Sequence, residues 1–482
     1  MSGSAGDHAV VVGAGLAGLL SAHVLAGRFA RVTVVERDQL PQDGPVFRPG
    51  IPQSRHVHVL WARGLRLIES QLPGITEELL ASGAGIVDAP ADTYWLSPAD
   101  WFRPISGAPL LAGSRELIEW TIRRRVMRGE RVRFLTGREV TGLVPSPDDA
   151  SAVHGVTLRR RGRPDSGART EQLEAGFVLD ASGRTSRAPA WLEELGHPAP
   201  SVTRCDAQLA YSSRYFQAPA DTGHDWKAMY LQARSVRPRA AVVLRIEGRR
   251  WLVTLFGNGE HAPPTGDEEF LEFTRTLRSP ILYEALREAV PLSSAAGFRN
   301  TANEWRHYES LPSRPDGFVV LGDAAYRFNP VYGHGMTVAA LAAHSLAEST
   351  RGLDPGGIRR ASQRIQRANA AAATPAWEIA VSGDRRHADP GGYSPGLLSR
   401  VRKRYMAHVL AAANVDPTVA RRLFDVLSLS APPDSLLSPA TLIRVLVKWH
   451  LPTSPATNDH PPHHAPAGTG SAVGESAEGR DF

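Results

Sequence analysis

Three glycines near the start of the chain have the spacing of a phosphate-binding turn. Gly13, Gly15 and Gly18 follow the apolar run 9–12, which predicts a buried strand, and they open a stretch with leucines at helical spacing. Gly13 permits a tight turn, Gly15 leaves room for a pyrophosphate, and Gly18 lets the helix pack closely on the strand. The free N–H groups at the helix start attract phosphate. The pattern predicts a dinucleotide site at Gly13, Ala14, Gly15, Leu16, Ala17 and Gly18.

An acidic residue after the second predicted strand narrows the choice of nucleotide. The run Arg31–Val35 reads as a buried strand and leads directly into Glu36. A carboxylate at this place can bind the hydroxyl groups of an adenosine ribose. It disfavours the 2′-phosphate of NADP, so the expected dinucleotide is FAD or NAD.

A second glycine-containing segment decides between these two cofactors. The apolar run 317–322 ends at Gly322 and is followed directly by Asp323, and the loop 329–336, Asn-Pro-Val-Tyr-Gly-His-Gly-Met, precedes another helical pattern. This arrangement resembles the second flavin motif of the class A FAD-dependent monooxygenases, which have the p-hydroxybenzoate hydroxylase fold. The resemblance implies that Asp323 binds the ribityl chain of FAD. It also implies that the loop faces the pyrimidine end of the flavin, where a helix dipole stabilises the reduced anion.

Further segments extend the resemblance to other positions. The helix predicted over 115–128 begins at Arg115, which matches the family arginine that contacts the FAD phosphate, and the segment 48–51 matches the stretch that approaches the flavin ring. A guanidinium suits bidentate phosphate binding. The resemblance implies FAD-binding roles for Arg37, Arg48, Gly50, Ile51, Arg115, Val140, Asp180, Gly183, Pro330, Gly333, Gly335 and Met336.

Two strings indicate a narrower branch of this family. The segment 50–58 contains Gly-Ile-Pro-Gln and His-x-His, and 248–254 reads Gly-Arg-Arg-Trp-Leu-Val-Thr. Both are similar to the squalene-epoxidase-like flavin epoxidases of bacterial polyether polyketide pathways. The resemblance implies an FAD-dependent monooxygenase that uses O₂ to epoxidise olefins of a polyketide, or a similar natural product, through a flavin C4a-hydroperoxide. The flavin itself would perform this chemistry, so no side chain is predicted to be catalytic.

Alternatives to this function stay open or are disfavoured by particular residues. A non-redox, FAD-bound [4+2] cyclase of spirotetramate or spirotetronate biosynthesis would satisfy the same FAD motifs, because a Diels–Alder step needs only a shaped apolar cavity. A flavin halogenase would need an early lysine and a Trp-x-Trp-x-Ile-Pro string, but no lysine precedes Lys227 and the string is absent. Ser182 replaces the aspartate of the family's Asp-Gly pair, which leaves the electron donor open between NADPH and a flavin reduced by a flavin reductase.

These motifs and the strand patterns predict an α/β fold: a Rossmann-like FAD-binding domain with an inserted antiparallel-sheet substrate domain and a helical C-terminus. A meander is expected at Val132–Leu135, Glu139–Val144, Val153–Arg159 and Glu171–Asp180, and half-buried strands at 209–215 and 251–255. The expected segments are FAD-binding at 1–87, 113–187 and 311–350, substrate-binding at 88–112 and 188–310, helical at 351–455 and disordered at 456–482. Aromatic residues expected to border the substrate pocket are Trp95, Tyr211, Tyr215, Trp251 and Phe328.

Composition excludes several other classes of protein. The 482 residues are 42% hydrophobic and 22% charged, as in ordinary globular proteins, and the net charge of +6 is spread along the chain. The arginine runs 123–125 and 159–161 read as solvated faces, so no nucleic-acid partner is expected. A single cysteine, Cys205, excludes internal disulfides, and His56 and His58 lack the neighbours of a metal site, so no metal is expected. Without a signal peptide or an 18-residue apolar run, a cytoplasmic protein that does not span a membrane is expected.

Overall fold

The computed structural model of the chain describes residues 5–105, 107–147, 149, 151–161, 170–219, 226–234, 238–388, 397–453 and 461. The helices in these ranges are α1 (Leu16–Ala26), α2 (Ala62–Gln71), α3 (Ile75–Ala81), α4 (Arg115–Met127), α5 (Ala188–Glu194), α6 (Asp267–Thr274), α7 (Ile281–Leu286), α8 (Gly335–Ser349), α9 (Pro355–Arg360), α10 (Ser362–Ala388), α11 (Leu397–Ala413), α12 (Pro417–Leu427) and α13 (Pro439–Val447). The strands are β1 (His8–Val12), β2 (Arg31–Glu36), β3 (Val59–Trp61), β4 (Gly85–Ala89), β5 (Thr93–Leu96), β6 (Ala108–Ala112), β7 (Val132–Thr136), β8 (Arg138–Pro145), β9 (Val153–Arg160), β10 (Glu171–Glu174), β11 (Phe177–Asp180), β12 (Val202–Cys205), β13 (Leu209–Gln217), β14 (Ala228–Leu231), β15 (Ala240–Ile246), β16 (Arg250–Asn258), β17 (Val290–Pro291), β18 (Ala296–Phe298), β19 (Asn303–Arg306), β20 (Phe318–Val320) and β21 (Tyr326–Arg327).

A five-stranded parallel sheet of order β20-β11-β1-β2-β7 carries the nucleotide-binding motifs. Every residue of β1 is buried, because helices α1 and α8 pack on one face of the sheet and the other face also lies against the protein. The glycine turn and the Gly-Asp segment follow β1 and β20, so both lie at the carboxyl edge of this sheet. The structure confirms the α/β fold, with a parallel sheet, several antiparallel sheets and helices.

The expected meander differs from the structure at both of its ends. The segment 171–180 forms two strands: β10 pairs antiparallel with β9, whereas β11 enters the parallel sheet between β1 and β20. The prediction of one continuous strand was wrong because Gly176 lies between an exposed, charged half and a fully buried half. The first expected strand, β7, pairs with β2 at the edge of the parallel sheet, and only β8, β9 and β10 form the antiparallel meander.

A seven-stranded sheet forms the second layer and separates the cavity from two helices. Its order is β17-β13-β16-β15-β14-β5, with β18 also on β13, and β5 joins it in parallel with β14. One face packs on α6 and α7 through Trp251, Val253 and Leu255. Since side chains alternate along a strand, Leu252, Thr254 and Phe256 take the opposite face. The alternating runs 209–215 and 251–255 are confirmed as strands. The expectation of a half-buried strand was wrong for β16, because residues 251–257 are buried on both of its faces.

The predicted helical region after residue 350 contains α9 to α13. Helix α10 packs on the nucleotide-binding layer through Ala370, Ala373 and Ala376, and α12 packs on the small sheet β3-β6-β4 through Leu423 and Phe424. No helix in the described part of the chain is both long and apolar enough to cross a membrane. The tail predicted to be disordered, 456–482, lies outside the described residues except for 461, and the predicted domain limits stay predictions.

The arginines of the two runs form more hydrogen bonds and ion pairs with other protein groups than the sequence suggested. Arg123 is buried and donates to the carbonyl oxygen of Pro41 over 2.7 Å, so the prediction that this residue is solvated was wrong. Arg125 forms an ion pair of 2.6 Å with Glu78, and Arg159 one of 3.2 Å with Glu139. Helix α4 therefore turns part of its basic surface into the protein.

Candidate functional site

A continuous cavity runs from the carboxyl edge of the parallel sheet to the inner face of the seven-stranded sheet. It has two ends of different chemistry. The end at the parallel sheet, called the cofactor end below, is lined by the glycine turn after β1, the segment after β20 and the start of α8. The predicted FAD-binding residues that line the cavity are Gly13, Gly15, Leu16, Ala17, Glu36, Arg37, Arg48, Gly50, Ile51, Arg115, Val140, Gly183, Asp323, Pro330, Gly333, Gly335 and Met336.

The three glycines of the first turn have three different structural roles. Gly13 adopts a φ of +97°, and a Cβ there would lie 2.6 Å from the Ala181 carbonyl oxygen. A Cβ on Gly18 would lie 1.9 Å from the Gly13 carbonyl oxygen, so this position must stay bare for α1 to pack. A Cβ on Gly15 would meet no protein atom within 4 Å. The space beside Gly15 is therefore open to a ligand.

Three predicted cofactor residues lie behind the cavity wall and not on it: Ala14, Gly18 and Asp180. The Ala14 N–H donates to Glu36 Oε2 over 2.7 Å. The buried Asp180 carboxylate accepts hydrogen bonds from the Ser182 N–H over 2.9 Å and from Ser186 Oγ over 2.5 Å. Burial raises the pKa of Asp180, while the two serines oppose this shift. These residues shape the loops that line the cofactor end.

Arg48 connects the glycine turn, β2 and α4 beneath the cofactor end. Its buried guanidinium lies 3.3 Å from Glu36 and 2.6 Å from Glu119, and it donates to the Ala14 carbonyl oxygen over 2.9 Å. Burial alone would lower the pKa of Arg48, but the two carboxylates outweigh burial and raise it. Arg48 thus stays charged and holds Glu36 in place at the end of β2.

The charged residues of the lining are all at the cofactor end and are mainly basic. Seven arginines accompany three acids among the described lining residues. They are Arg37, Arg48, Arg115, Arg138, Arg184, Arg187 and Arg327, with Glu36, Glu139 and Asp323. An excess of guanidinium groups suits the two charges of a pyrophosphate. Sequence reasoning missed Arg138, Arg184, Arg187 and Arg327, although Arg184 stands in the segment noted for Ser182.

Asp323 is open to the cavity but lies deep beneath the protein surface. Burial raises its pKa, and the positive charges of Arg184, Arg115 and Arg327 oppose that rise. Burial and the neighbouring Arg327 also lower the pKa of Arg184 to about 10. The start of α8 faces the same space, where a Cβ on Gly335 would meet no protein atom within 4 Å. The Asp323 carboxylate and the N-terminus of α8 therefore border the same unfilled part of the cavity.

The other end of the cavity, called the apolar end below, lies against the seven-stranded sheet and the small sheet. Its lining includes Trp61, Ala89, Trp95, Leu110, Ala228, Val242, Leu244, Phe256 and Phe328. Trp95, Tyr211 and Phe328 were predicted to border the pocket, and the structure places all three in the lining. Among the described residues, no aspartate, glutamate, lysine or arginine lines this end. Trp61 and Tyr230 were missed because their strands carry no recognisable motif.

Two of the predicted pocket aromatics lie elsewhere. Trp251 points to the opposite face of β16, where its ring packs 5.1 Å from Trp226 against the side covered by α6 and α7. Tyr215 shares its face with Tyr211 but lies further along β13, with the Arg250 guanidinium 5.6 Å from its ring. The prediction for Trp251 is corrected, because alternation along a strand does not reveal which face borders a cavity. The prediction for Tyr215 is corrected because its part of β13 does not border the cavity, although its side chain is on the same face as that of Tyr211.

The two histidines of the loop before β3 are neutral hydrogen-bonding groups of the cavity wall. His56 Nδ1 lies 2.7 Å from Ser213 Oγ, and His58 Nδ1 donates to the His56 carbonyl oxygen over 2.9 Å. Burial lowers the pKa of His56 to about 4 and, with the charge of Arg115, that of His58 to about 3. In the described part of the chain, no group of three or more possible metal ligands is present.

Comparisons with known proteins agree with the chemistry of the cofactor end. Residues 8–350 match the family model described as FAD binding domain. The chain is 32% identical over 391 residues to Protein Rv3254 of Mycobacterium tuberculosis. The matched region covers 79% of this chain and 81% of that protein.

Solved structures with a similar fold have low sequence identity. The flavin-dependent brominase Bmp2 is 15% identical with a TM-score of 0.62, covering 92% of this chain and 99% of that one. The Diels-Alderase PyrE3 of pyrroindomycin biosynthesis is 16% identical with a TM-score of 0.58, covering 88% and 80%. PqsL of Pseudomonas aeruginosa, a probable FAD-dependent monooxygenase, is 17% identical with a TM-score of 0.54, covering 87% and 100%.

Proposed function

The chain belongs to the FAD binding domain family, and on that basis we propose that it is an FAD-dependent monooxygenase that epoxidises olefins of a polyketide or a similar apolar natural product. The observation that carries this proposal is the two-ended cavity. A basic, glycine-lined cofactor end continues directly into an apolar end. The proposed substrate would thus lie beside the bound cofactor, away from water.

We propose that the predicted cofactor residues hold FAD at the cofactor end. The turn with Gly15 would receive the pyrophosphate, Glu36 the ribose hydroxyls, and Asp323 the ribityl chain. Two observations support this fit: the open space beside Gly15 and Gly335, and the excess of arginines. When bound and reduced, FAD supplies the activation of O₂ that an epoxidation needs.

The protein's own side chains position the substrate and exclude water. The apolar end carries no ionisable acid or base among the described residues other than the histidines and tyrosines of its wall, so the residues present supply shape and desolvation. His56 is neutral at physiological pH because of its lowered pKa. The chain thus leaves oxygen transfer to the cofactor.

The position of lysine argues against halogenation, despite the fold likeness to a brominase. A flavin halogenase would need a lysine near the cofactor to handle hypohalous acid. Lys227 is half-exposed and pairs with Asp92 over 2.8 Å, and no lysine is present among the described lining residues. This observation supports oxygen transfer over halogenation.

A redox-neutral [4+2] cyclase remains the second candidate. The apolar end would favour such a step by shape alone, and the fold likeness to the Diels-Alderase PyrE3 agrees with it. In that case FAD would support the walls of the cavity without being reduced.

An experiment on the need for electrons and oxygen separates the two candidates. The FAD-loaded protein is incubated with a polyene substrate under ¹⁸O₂, with NADPH or with a flavin reductase and NADH. We expect no conversion without reductant or under nitrogen, and one labelled oxygen atom in the product when both are present. We further expect the reductase system to outperform NADPH, because Ser182 replaces the family aspartate. An unlabelled isomer formed under nitrogen would refute the monooxygenase and support the cyclase.

A further inference from the structure

The imidazole of His56 has one ring nitrogen bound within the protein and one that is open to the cavity. His56 lines the cavity, and its Nδ1 lies 2.7 Å from Ser213 Oγ. Its Nε2 has no hydrogen-bond partner among the described residues but keeps accessible surface, whereas the indole nitrogens of Trp61 and Trp95 are closed off. The Nε2 atom of His56 is therefore an unpaired polar atom that a ligand in the cavity can reach.

A chain of hydrogen bonds decides which nitrogen of His56 carries the proton. The Val57 N–H donates to Thr254 Oγ1 over 3.0 Å, and Thr254 Oγ1 lies 2.6 Å from Ser213 Oγ. If Thr254 donates to Ser213 and Ser213 donates to His56, every hydrogen of the chain has an acceptor. The reverse direction would leave the hydroxyl hydrogen of the buried Thr254 without an acceptor among the described residues, which is costly. Nδ1 of His56 therefore accepts, and Nε2 carries the proton.

Two other buried histidines differ from His56 in what they present. The Nδ1 of His58 donates to the His56 carbonyl oxygen over 2.9 Å, so the neutral ring of His58 presents its Nε2 as an acceptor. His334 does not line the cavity, and its Nε2 lies 2.9 Å from the Leu427 carbonyl oxygen. Burial lowers the pKa of both His56 and His334 to about 4, so these rings are neutral at physiological pH. Of these three histidines, His56 is the one that presents an N–H donor to the cavity.

The seven-stranded sheet holds the His56 ring in place. Ser213 and Thr254 lie opposite each other on β13 and β16. The centroid of the His56 ring lies 6.0 Å from that of Tyr211 on β13 and 5.3 Å from that of Phe298 on β18. The glycine turns of the proposed FAD site follow strands of the parallel sheet instead. His56 is thus fixed to the wall that the proposed substrate would contact.

The chemistry of this donor restricts which ligand would fit. A neutral N–H group provides one hydrogen bond but no charge, and no lysine or arginine lines the apolar end among the described residues. A carboxylate there would be buried without a counter-charge, whereas an uncharged carbonyl oxygen would not. Resting on the proposed function, we infer that His56 donates its Nε2–H to one uncharged carbonyl oxygen of an otherwise apolar substrate. This hydrogen bond would fix the position of the substrate along the cavity.

Two probes of matched shape test this inference on the FAD-loaded protein. They are 2-heptanone and 2-methyl-1-heptene, in which a CH₂ group replaces the carbonyl oxygen. Binding is measured by calorimetry, and FAD affinity is measured separately for every variant. His56→Phe removes the donor and should weaken 2-heptanone binding about 3- to 10-fold, the value of one net hydrogen bond, while changing the binding of the alkene less than about 2-fold. His56→Gln keeps an N–H donor of similar reach and should retain the ketone affinity to within about 2-fold.

A histidine outside the cavity provides the matched control, and the wild-type protein provides a second measurement. His23 Nε2 lies 2.8 Å from the Gln71 carbonyl oxygen and does not line the cavity, so His23→Phe should leave the ketone affinity unchanged. In the wild-type protein, the infrared carbonyl band of bound 2-heptanone should lie at a lower frequency than in hexane. This band tests the inference even if His56→Phe fails to fold.

Three results would overturn the inference. The first is a carbonyl band at the same frequency as in hexane. The second is a folded His56→Phe protein in which ketone affinity falls no more than alkene affinity. The third is a loss of FAD affinity in His56→Phe with ketone affinity retained, because the flavin would then be the acceptor. Since binding needs no turnover, failure of the monooxygenase proposal leaves these results interpretable.

Discussion

Asp384 and Asn329 join the C-terminal helical region to the middle of the cavity: the buried Asp384 Oδ2 accepts a hydrogen bond from Asn329 Nδ2 over 2.8 Å. The same carboxylate accepts from Asn303 Nδ2 over 2.6 Å and from the Tyr332 hydroxyl over 2.8 Å. Asn329 Oδ1 in turn accepts from the Tyr211 hydroxyl over 2.7 Å. Helix α10, which lies beyond the residues matched by the family model, therefore anchors a cavity loop.

Removing the charge of Asp384 should loosen this loop. Asp384→Asn replaces one accepting oxygen with an NH₂ group that faces donors, which should lower the free energy of unfolding by about 2–3 kcal/mol. Urea unfolding of the FAD-loaded protein measures the change. The exposed Asp434→Asn serves as the control and should alter stability by less than about 0.5 kcal/mol. Equal stability of both variants would show that the network does not hold the loop.

A side chain at Gly15 should remove FAD without unfolding the protein. Gly15 has a φ of −75° and open space where its Cβ would lie, so Gly15→Val is compatible with the protein's own packing and fills only the proposed pyrophosphate space. We expect a folded, colourless protein by circular dichroism and visible absorbance. Gly85→Val is the matched control, because Gly85 also has open space but lies off the cavity. A yellow Gly15→Val protein with full FAD content would contradict the placement.

Loss of the Asp323 carboxylate should weaken FAD directly. A hydrogen bond to a charged group contributes about 1.5–3 kcal/mol, so Asp323→Ala should raise the dissociation constant of FAD about 10- to 150-fold. Fluorescence quenching of FAD during titration of the apoprotein measures this constant. Asp434→Ala provides the surface control. If both variants bind FAD equally, the segment after β20 does not hold the ribityl chain.

Stability should fall as the pH drops from about 6.5 towards 4. Burial lowers the pKa of both His56 and His334 to about 4, so between these values the unfolded chain binds protons that the folded chain does not. Each histidine should therefore cost about 2 kcal/mol of stability at pH 5 relative to pH 7.5. Urea unfolding at the two pH values measures the loss, which should shrink by that amount in His56→Gln. The same loss in this variant would show that His56 is not responsible.

The local motifs of the cofactor end could be predicted because each depends on neighbours close in sequence. The turn at Gly13 and Gly18 and the acid at Glu36 follow from strand, turn and helix signals within the first 36 residues. The segment around Asp323 is similarly self-contained. Parallel strands place such carboxyl-terminal loops at one edge of a sheet, so the sequence also implied that the motifs come together.

Only the tertiary structure decided the apolar end and its supports. The alternating pattern of β16 predicted one buried face, but protein covers both faces of that sheet. Only the packing therefore showed that Trp251 faces helices while Thr254 and Phe256 face the cavity. Trp61, Trp95 and Asp384 come from three distant parts of the chain, and no local spacing connects them. Their roles depend on long-range contacts, and a pattern of neighbouring residues does not specify the partners in such contacts. The sequence therefore predicted the residues of the cofactor end, whereas the lining of the apolar end required the tertiary structure.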